Sequence, residues 1–195
     1  MTDFKYQVMY SDRRSPLIVQ PEVPTVDLAC AVRMHATQLA ALLLEHGGLL
    51  FRGFDVRELA QFDAFVGAVS ADRLDYVYGS TPRTALGNRI FTATEYPPNQ
   101  EIPLHNENAY QREWPLKIAL CCLTPAAEGG ETPIADMRTV AAAIGEDLIE
   151  KFAQRRVRYV RHYRPFIDVP WQKVFRTEDP TAVGQFCAEH NIEHQ

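Results

Sequence analysis

Residues 102–108 read Ile102-Pro103-Leu104-His105-Asn106-Glu107-Asn108. Along an extended chain, side chains i and i+2 leave the same face, so His105 and Glu107 can present an imidazole nitrogen and a carboxylate oxygen to one metal ion. Two histidines and one carboxylate form the triad that holds non-haem iron(II) and leaves three coordination positions open; this stretch supplies two of the three. With six His and 25 acidic residues in 195, chance alone provides about 0.8 His-x-acid pairs. Taken alone, the pair is better explained by a surface strand with its polar residues turned outward, and the flanking sequence has to decide.

Either side of this stretch the pattern is β. After Pro82, Arg89 to Glu95 is rich in β-branched and aromatic residues, and Lys117 to Leu123 is an apolar strand. Gly129-Gly130 marks a turn between extended pieces. Asp136 is placed to cap a helix running through Ala141 to Phe152, Val157 to Tyr163 returns to a strand, and Asp179-Pro180 opens a helix that runs to His190 and stops at Asn191. Toward the N-terminus, Leu28, Val32, His35, Leu39 and Leu42 line one face of a helix over Asp27–His46, closed by Gly47-Gly48. His35 on that face reads as a satisfied core or boundary histidine. Leu49-Leu50-Phe51 is a short strand. Asp55, with Glu58 three residues on, has the form of a capping box for a helix whose stripe is Leu59, Phe62, Val66 and Val69. The first 25 residues, with Pro16, Pro21 and Pro24, suit an extended arm.

Composition bounds the classes available. The chain has 195 residues, 46% apolar and 23% charged, ordinary for one globular domain over residues 1–195. Its net charge of −5, with no basic block, argues against nucleic acid as a partner. The longest apolar runs, Leu39–Leu44 and Ile118–Leu123, fall far short of a membrane span, and the polar start lacks the order of a secretory signal. The expectation is a cytoplasmic protein without a membrane partner. The four cysteines are too few for a disulfide scaffold and form no C-x-x-C knuckle; Cys121-Cys122 read as small buried thiols. A mononuclear zinc hydrolase has little support, since there is no His-Glu-x-x-His.

The flanking motifs, in order and spacing, carry a resemblance. They are Phe51-Arg52-Gly53-Phe54, Thr94-Glu95-Tyr96-Pro97-Pro98, the His-Asn-Glu at 105–107, Trp114-Pro115, and Glu128-Gly129-Gly130-Glu131-Thr132-Pro133-Ile134-Ala135-Asp136. Together they resemble the taurine dioxygenase family of iron(II)/2-oxoglutarate oxygenases, and within it the subgroup typified by the syringomycin-pathway aspartate hydroxylase. The likeness covers most of the chain from about residue 47 onward. It implies an α+β, mainly β fold: a jelly-roll, double-stranded β-helix core like that of cupins, with flanking helices. Periodicity alone supports only α plus β in one domain.

The same resemblance implies iron ligation by His105 and Glu107, a contact from the Thr132 hydroxyl to the far carboxylate of 2-oxoglutarate, and a substrate-facing Arg83 suited to a carboxylate. It implies oxidative decarboxylation of 2-oxoglutarate coupled to hydroxylation of an amino-acid-type small molecule, free or bound to a carrier protein. In related halogenases a small residue replaces the carboxylate ligand, so Glu107 argues for hydroxylation. The family's second iron-binding His and its 2-oxoglutarate-binding Arg come from strands beyond the length of this chain. His162, His190 and His194 are the substitutes available within it. The expectation is therefore a jelly-roll incomplete at its C-terminus, with open strand edges that pair or aggregate, so that oligomers are possible. The competing expectation is a catalytically inactive, truncated or degenerate relative acting as a binding protein.

Overall fold

The computed structural model describes residues 3–79, 81, 83–97 and 99–195; Pro82 and Pro98, which figure in the motifs above, lie outside the described residues. Two compact units emerge, neither a single run of sequence: residues 1–73 with 119–145, and residues 74–118 with 146–195.

The first unit begins with two strands where the prolines had suggested an arm. β1 (Phe4–Tyr10) and β2 (Arg13–Pro21) form an antiparallel hairpin, in register from Phe4 opposite Pro21 to Val8 opposite Leu17. The register breaks before Tyr10 pairs with Arg13, and Pro16 falls in that break, where no ladder donor is required of it. Pro21 ends β2. β3 (Leu49–Phe51) lies parallel to β2, Val19 opposite Phe51, which makes the intervening helices a crossover connection.

That crossover is two helices rather than the single one expected, α1 (Leu28–Met34) and α2 (Ala36–His46). Asp27 caps α1 by accepting from Cys30 N, and the break falls at His35, whose Nε2 meets Asp3 Oδ2 at 2.9 Å and whose ring packs edge-on to Phe4. Gly47, at φ 74°, closes α2 in the left-handed conformation and donates to Leu43 O. α3 (Leu59–Val69) starts at Glu58 rather than at Asp55. Gln61 Oε1 accepts from the Glu58 and Arg57 backbone N–H groups while its amide reaches the Asp55 carbonyl, so the capping box sits three residues later than the sequence suggested. Phe4, Val19, Ala31, Val32 and Leu39 form the core, with Phe51, Phe54 and Phe65 packed against it.

The helix expected through Phe152 divides at Gly145 (φ 91°) into α4 (Met137–Ile144), in the first unit, and α5 (Glu146–Arg155), in the second. Asp136 caps α4 as expected. Arg138 grips Asp136 and donates to the carbonyls of Leu44 and Glu45, tying α4 to the last turn of α2.

In the second unit the hairpin of β4 (Ala85–Gly87) and β5 (Ile90–Phe91) is followed by α5, α6 (Trp171–Phe175) and α7 (Pro180–Glu189). Asp179 caps α7 with Pro180 in its first turn, as the sequence indicated. Tyr78, Tyr163, Phe175 and Phe186 pack ring against ring, and Val174 and Cys187 are buried.

The other expected strands do not form ladders among the described residues. Arg89–Glu95 contracts to Ile90–Phe91, and Lys117–Leu123 and Val157–Tyr163 carry no strand assignment. Their β-branched composition favours an extended chain, but a strand exists only by pairing. Leu116 is 92% exposed, and Cys121 and Cys122, expected to be buried, are exposed as well. The described residues therefore form mixed helix and strand, with one three-stranded and one two-stranded sheet and no closed barrel. No described helix is long and apolar enough to cross a membrane.

Candidate metal centre

His105 and Glu107 lie in the second unit, on a loop rather than on the strand expected, and a turn begins at Glu107. Their side chains nevertheless meet. His105 Nδ1 is 2.8 Å from Pro103 O, which can only accept, so in the neutral ring Nδ1 carries the proton and Nε2 keeps its lone pair. Nε2 faces Glu107 Oε2 at 3.6 Å, too far for a hydrogen bond. The imidazole is 56% exposed and the carboxylate 21%, so the pair is open to solvent on the histidine side.

Two donors, each about 2.1 Å from one divalent ion, stand about 3.0 to 3.4 Å apart at right or tetrahedral angles. The observed gap closes to that range with a movement of a few tenths of an ångström. A lone-pair nitrogen beside an anionic oxygen, with the other ring nitrogen fixed by a carbonyl, is the donor chemistry a divalent transition metal takes. The residues present fit an iron(II) ion on two sides.

The other oxygen of Glu107 is already engaged. Arg83 Nη2 donates to Oε1 at 2.6 Å and reaches Thr94 Oγ1 at 3.3 Å, and its guanidinium lies 4.6 Å from the centre of the Tyr76 ring. Tyr76 is held in turn by a 2.9 Å hydrogen bond between its hydroxyl and Thr81 Oγ1. Arg83 Nε is buried without a hydrogen-bond partner, as is Asn108 Oδ1 on the turn after Glu107.

Glu95 was not singled out as a site residue. Its Oε1 accepts from the hydroxyls of Thr84 and Thr92 and from Thr84 N, closing the β4–β5 hairpin beside Thr94. Hydrogen bonds from Thr84, then Thr92, hold its carboxyl below the usual carboxylate range. Sequence offered one cue: Glu95 follows directly on Thr94 inside a recognised motif.

Elsewhere in the second unit, Arg161 donates to the carbonyls of Tyr78 and Gly79, and its guanidinium lies over Tyr78 with Tyr110 and Tyr163 around it. Burial pushes the Tyr163 phenol well above its ordinary range. Thr132 belongs to the first unit, exposed just after Gly129 and Gly130, both in left-handed conformations.

None of the substitute histidines forms a ligand set. His162 is exposed, and His190 stacks on Phe186 with Nδ1 3.5 Å from Glu113. His194 lies beside Gly184. Among the described residues no three His, Cys, Asp or Glu side chains are grouped to hold a metal ion.

The model of the taurine catabolism dioxygenase TauD, TfdA family matches residues 12–194. The dapdiamide synthesis protein DdaC of Enterobacter agglomerans is 38% identical over 152 residues, covering 78% of this chain and 46% of that protein. A clavaminate synthase-like protein of Arabidopsis thaliana is 32% identical over 201 residues, covering 94% of this chain and 61% of its own length. The chain thus spans about half the length of the curated relatives it matches. With a family match running almost end to end, the chain belongs to the TauD/TfdA dioxygenase family.

Proposed function

We propose that the full-length protein is an iron(II)- and 2-oxoglutarate-dependent dioxygenase that hydroxylates an amino-acid-type small molecule, free or carried on a protein, in specialised metabolism. The observation that carries this reading is the His105–Glu107 pair, with Nδ1 spent on Pro103 and Nε2 left facing Oε2. Family membership supports the reaction class, and the name of one relative, a dapdiamide synthesis protein, supports the substrate class. The carboxylate at position 107 favours hydroxylation over halogenation. The intact donor pair favours an oxygenase over an inactive binding relative. The fold proposed for the whole protein is the jelly-roll, with residues 1–195 as part of a single oxygenase domain.

When bound, iron(II) supplies the activation of dioxygen that is coupled to decarboxylation of 2-oxoglutarate. His105 would hold the metal through Nε2 and Glu107 through Oε2. Pro103 fixes the imidazole's tautomer and orientation, which is what a metal-binding ring needs from its other nitrogen. Thr132 would donate its hydroxyl to the far carboxylate of 2-oxoglutarate. Arg83, already beside Glu107, would offer its guanidinium to a substrate carboxylate.

Full-length protein is expected to form succinate from 2-oxoglutarate only when iron(II) is present. His105→Ala and Glu107→Ala should each lose bound iron and most turnover. Thr132→Val should keep its iron while needing several-fold more 2-oxoglutarate, the effect of one lost hydrogen bond worth about 1 kcal/mol. Succinate formation without iron, or full iron content in both alanine variants, would overturn the assignment.

A further inference from the structure

We propose that Arg83 is a positioning residue for the metal-binding carboxylate: it occupies Glu107 Oε1 and so presents the carboxylate to the metal through Oε2 alone. The inference rests on the metal-site reading above and adds to it how that site is kept open.

A carboxylate left to itself can grip a metal with both oxygens, and the second oxygen then fills a position otherwise free for an exchangeable ligand. Here the two oxygens have separate partners. Oε1 takes Arg83 Nη2 at 2.6 Å, and Oε2 faces His105 Nε2 at 3.6 Å. Swinging Oε1 onto a metal would break a charge-assisted hydrogen bond whose two side chains are only about one-fifth exposed, 20% for Arg83 and 21% for Glu107.

The anchor is itself held before any metal arrives. Tyr76 lies under the guanidinium, Thr94 shares Nη2, and the Tyr76 hydroxyl is fixed on Thr81. A guanidinium beside a metal site also costs Coulomb repulsion. That cost is reduced here because Arg83 spends its charge on Oε1 and on the Tyr76 ring face. What remains is orientation, supplied in advance to a carboxylate on a loop that has no strand ladder to hold it.

Cobalt(II) titration of the full-length protein tests this, because its visible absorption reports the ligand set and needs no turnover. Arg83→Met should raise the cobalt(II) Kd about tenfold to a hundredfold, as loss of a group behind a metal ligand does. It should also change the spectrum of the fraction that binds. Arg83→Lys should recover most of both, since an ammonium can still hold one oxygen. A purely structural Arg83 would lower the thermal midpoint while leaving the bound spectrum as wild type, and that result would overturn the proposal. So would a raised substrate KM with unchanged cobalt(II) Kd, which would leave Arg83 as a substrate contact only. His105→Ala and Glu107→Ala separate the two levels. If they bind cobalt(II) like wild type, the metal site itself is misassigned; if they lose it while Arg83→Met does not, only the role of Arg83 fails.

Discussion

Glu95 Oε1 gathers the Thr84 and Thr92 hydroxyls and the Thr84 amide, and those bonds favour its charged form. Because its folded pKa is depressed, the stability it contributes is complete above the ordinary carboxylate pKa and is lost as pH falls through the lowered value. Glu95→Gln is expected to remove that part of the acid dependence. Thermal midpoints followed from about pH 6 to about pH 3 should fall more steeply in wild type than in the variant. Parallel curves would show that the three bonds add nothing to the folded state. At this scale, what could be read in advance was what neighbours in sequence do. His105 and Glu107 are two residues apart, near enough for their side chains to meet on a loop where a strand was expected. The Arg83–Glu107 pair spans 24 residues and depends on where Tyr76 and Thr94 come to rest, which no local spacing encodes.

Gly47 illustrates the element scale. It ends α2 at φ 74°, and a Cβ there would stand 3.2 Å from the Arg138 guanidinium that binds the carbonyls of Leu44 and Glu45. Gly47→Ala should therefore destabilise the fold by about 1–2 kcal/mol from the backbone conformation, measurable by denaturant unfolding. A loss below a few tenths would mean that the helix end relaxes freely. Helix ends were legible for the same reason that this residue matters: Asp27, Asp136, Asp179-Pro180 and Gly47 act on backbone groups within four residues. Strands were less legible. Three prolines hid the β1–β2 hairpin, yet Pro16 falls at a register break, Pro21 at the end of β2 and Pro24 beyond it, where they cost the ladder little. Lys117–Leu123 and Val157–Tyr163 have strand composition without a ladder, because pairing is a property of two segments and composition describes one.

Over the whole molecule, unpaired apolar segments leave side chains such as Leu116, Leu120, Phe166 and Ile167 open to water. Surfaces of that kind associate. A polypeptide of residues 1–195 is expected to self-associate as its concentration rises and to bind a hydrophobic dye; a monodisperse monomer by light scattering, with no dye signal, would count against it. The fold class was readable at this scale only as a mixture of helix and strand, and the division into units only from coordinates, since each unit joins stretches far apart in sequence. The clamp of Arg161 on the Tyr78 and Gly79 carbonyls has a consequence for synthesis. The Tyr78 carbonyl lacks its clamp until a residue 83 positions later has left the ribosome. At roughly 5–20 residues per second, that wait is roughly 4–17 s. Throughout it the Tyr78 and Gly79 backbone is without the guanidinium that holds it in the folded protein, so this contact forms late in translation although its carbonyls are made early.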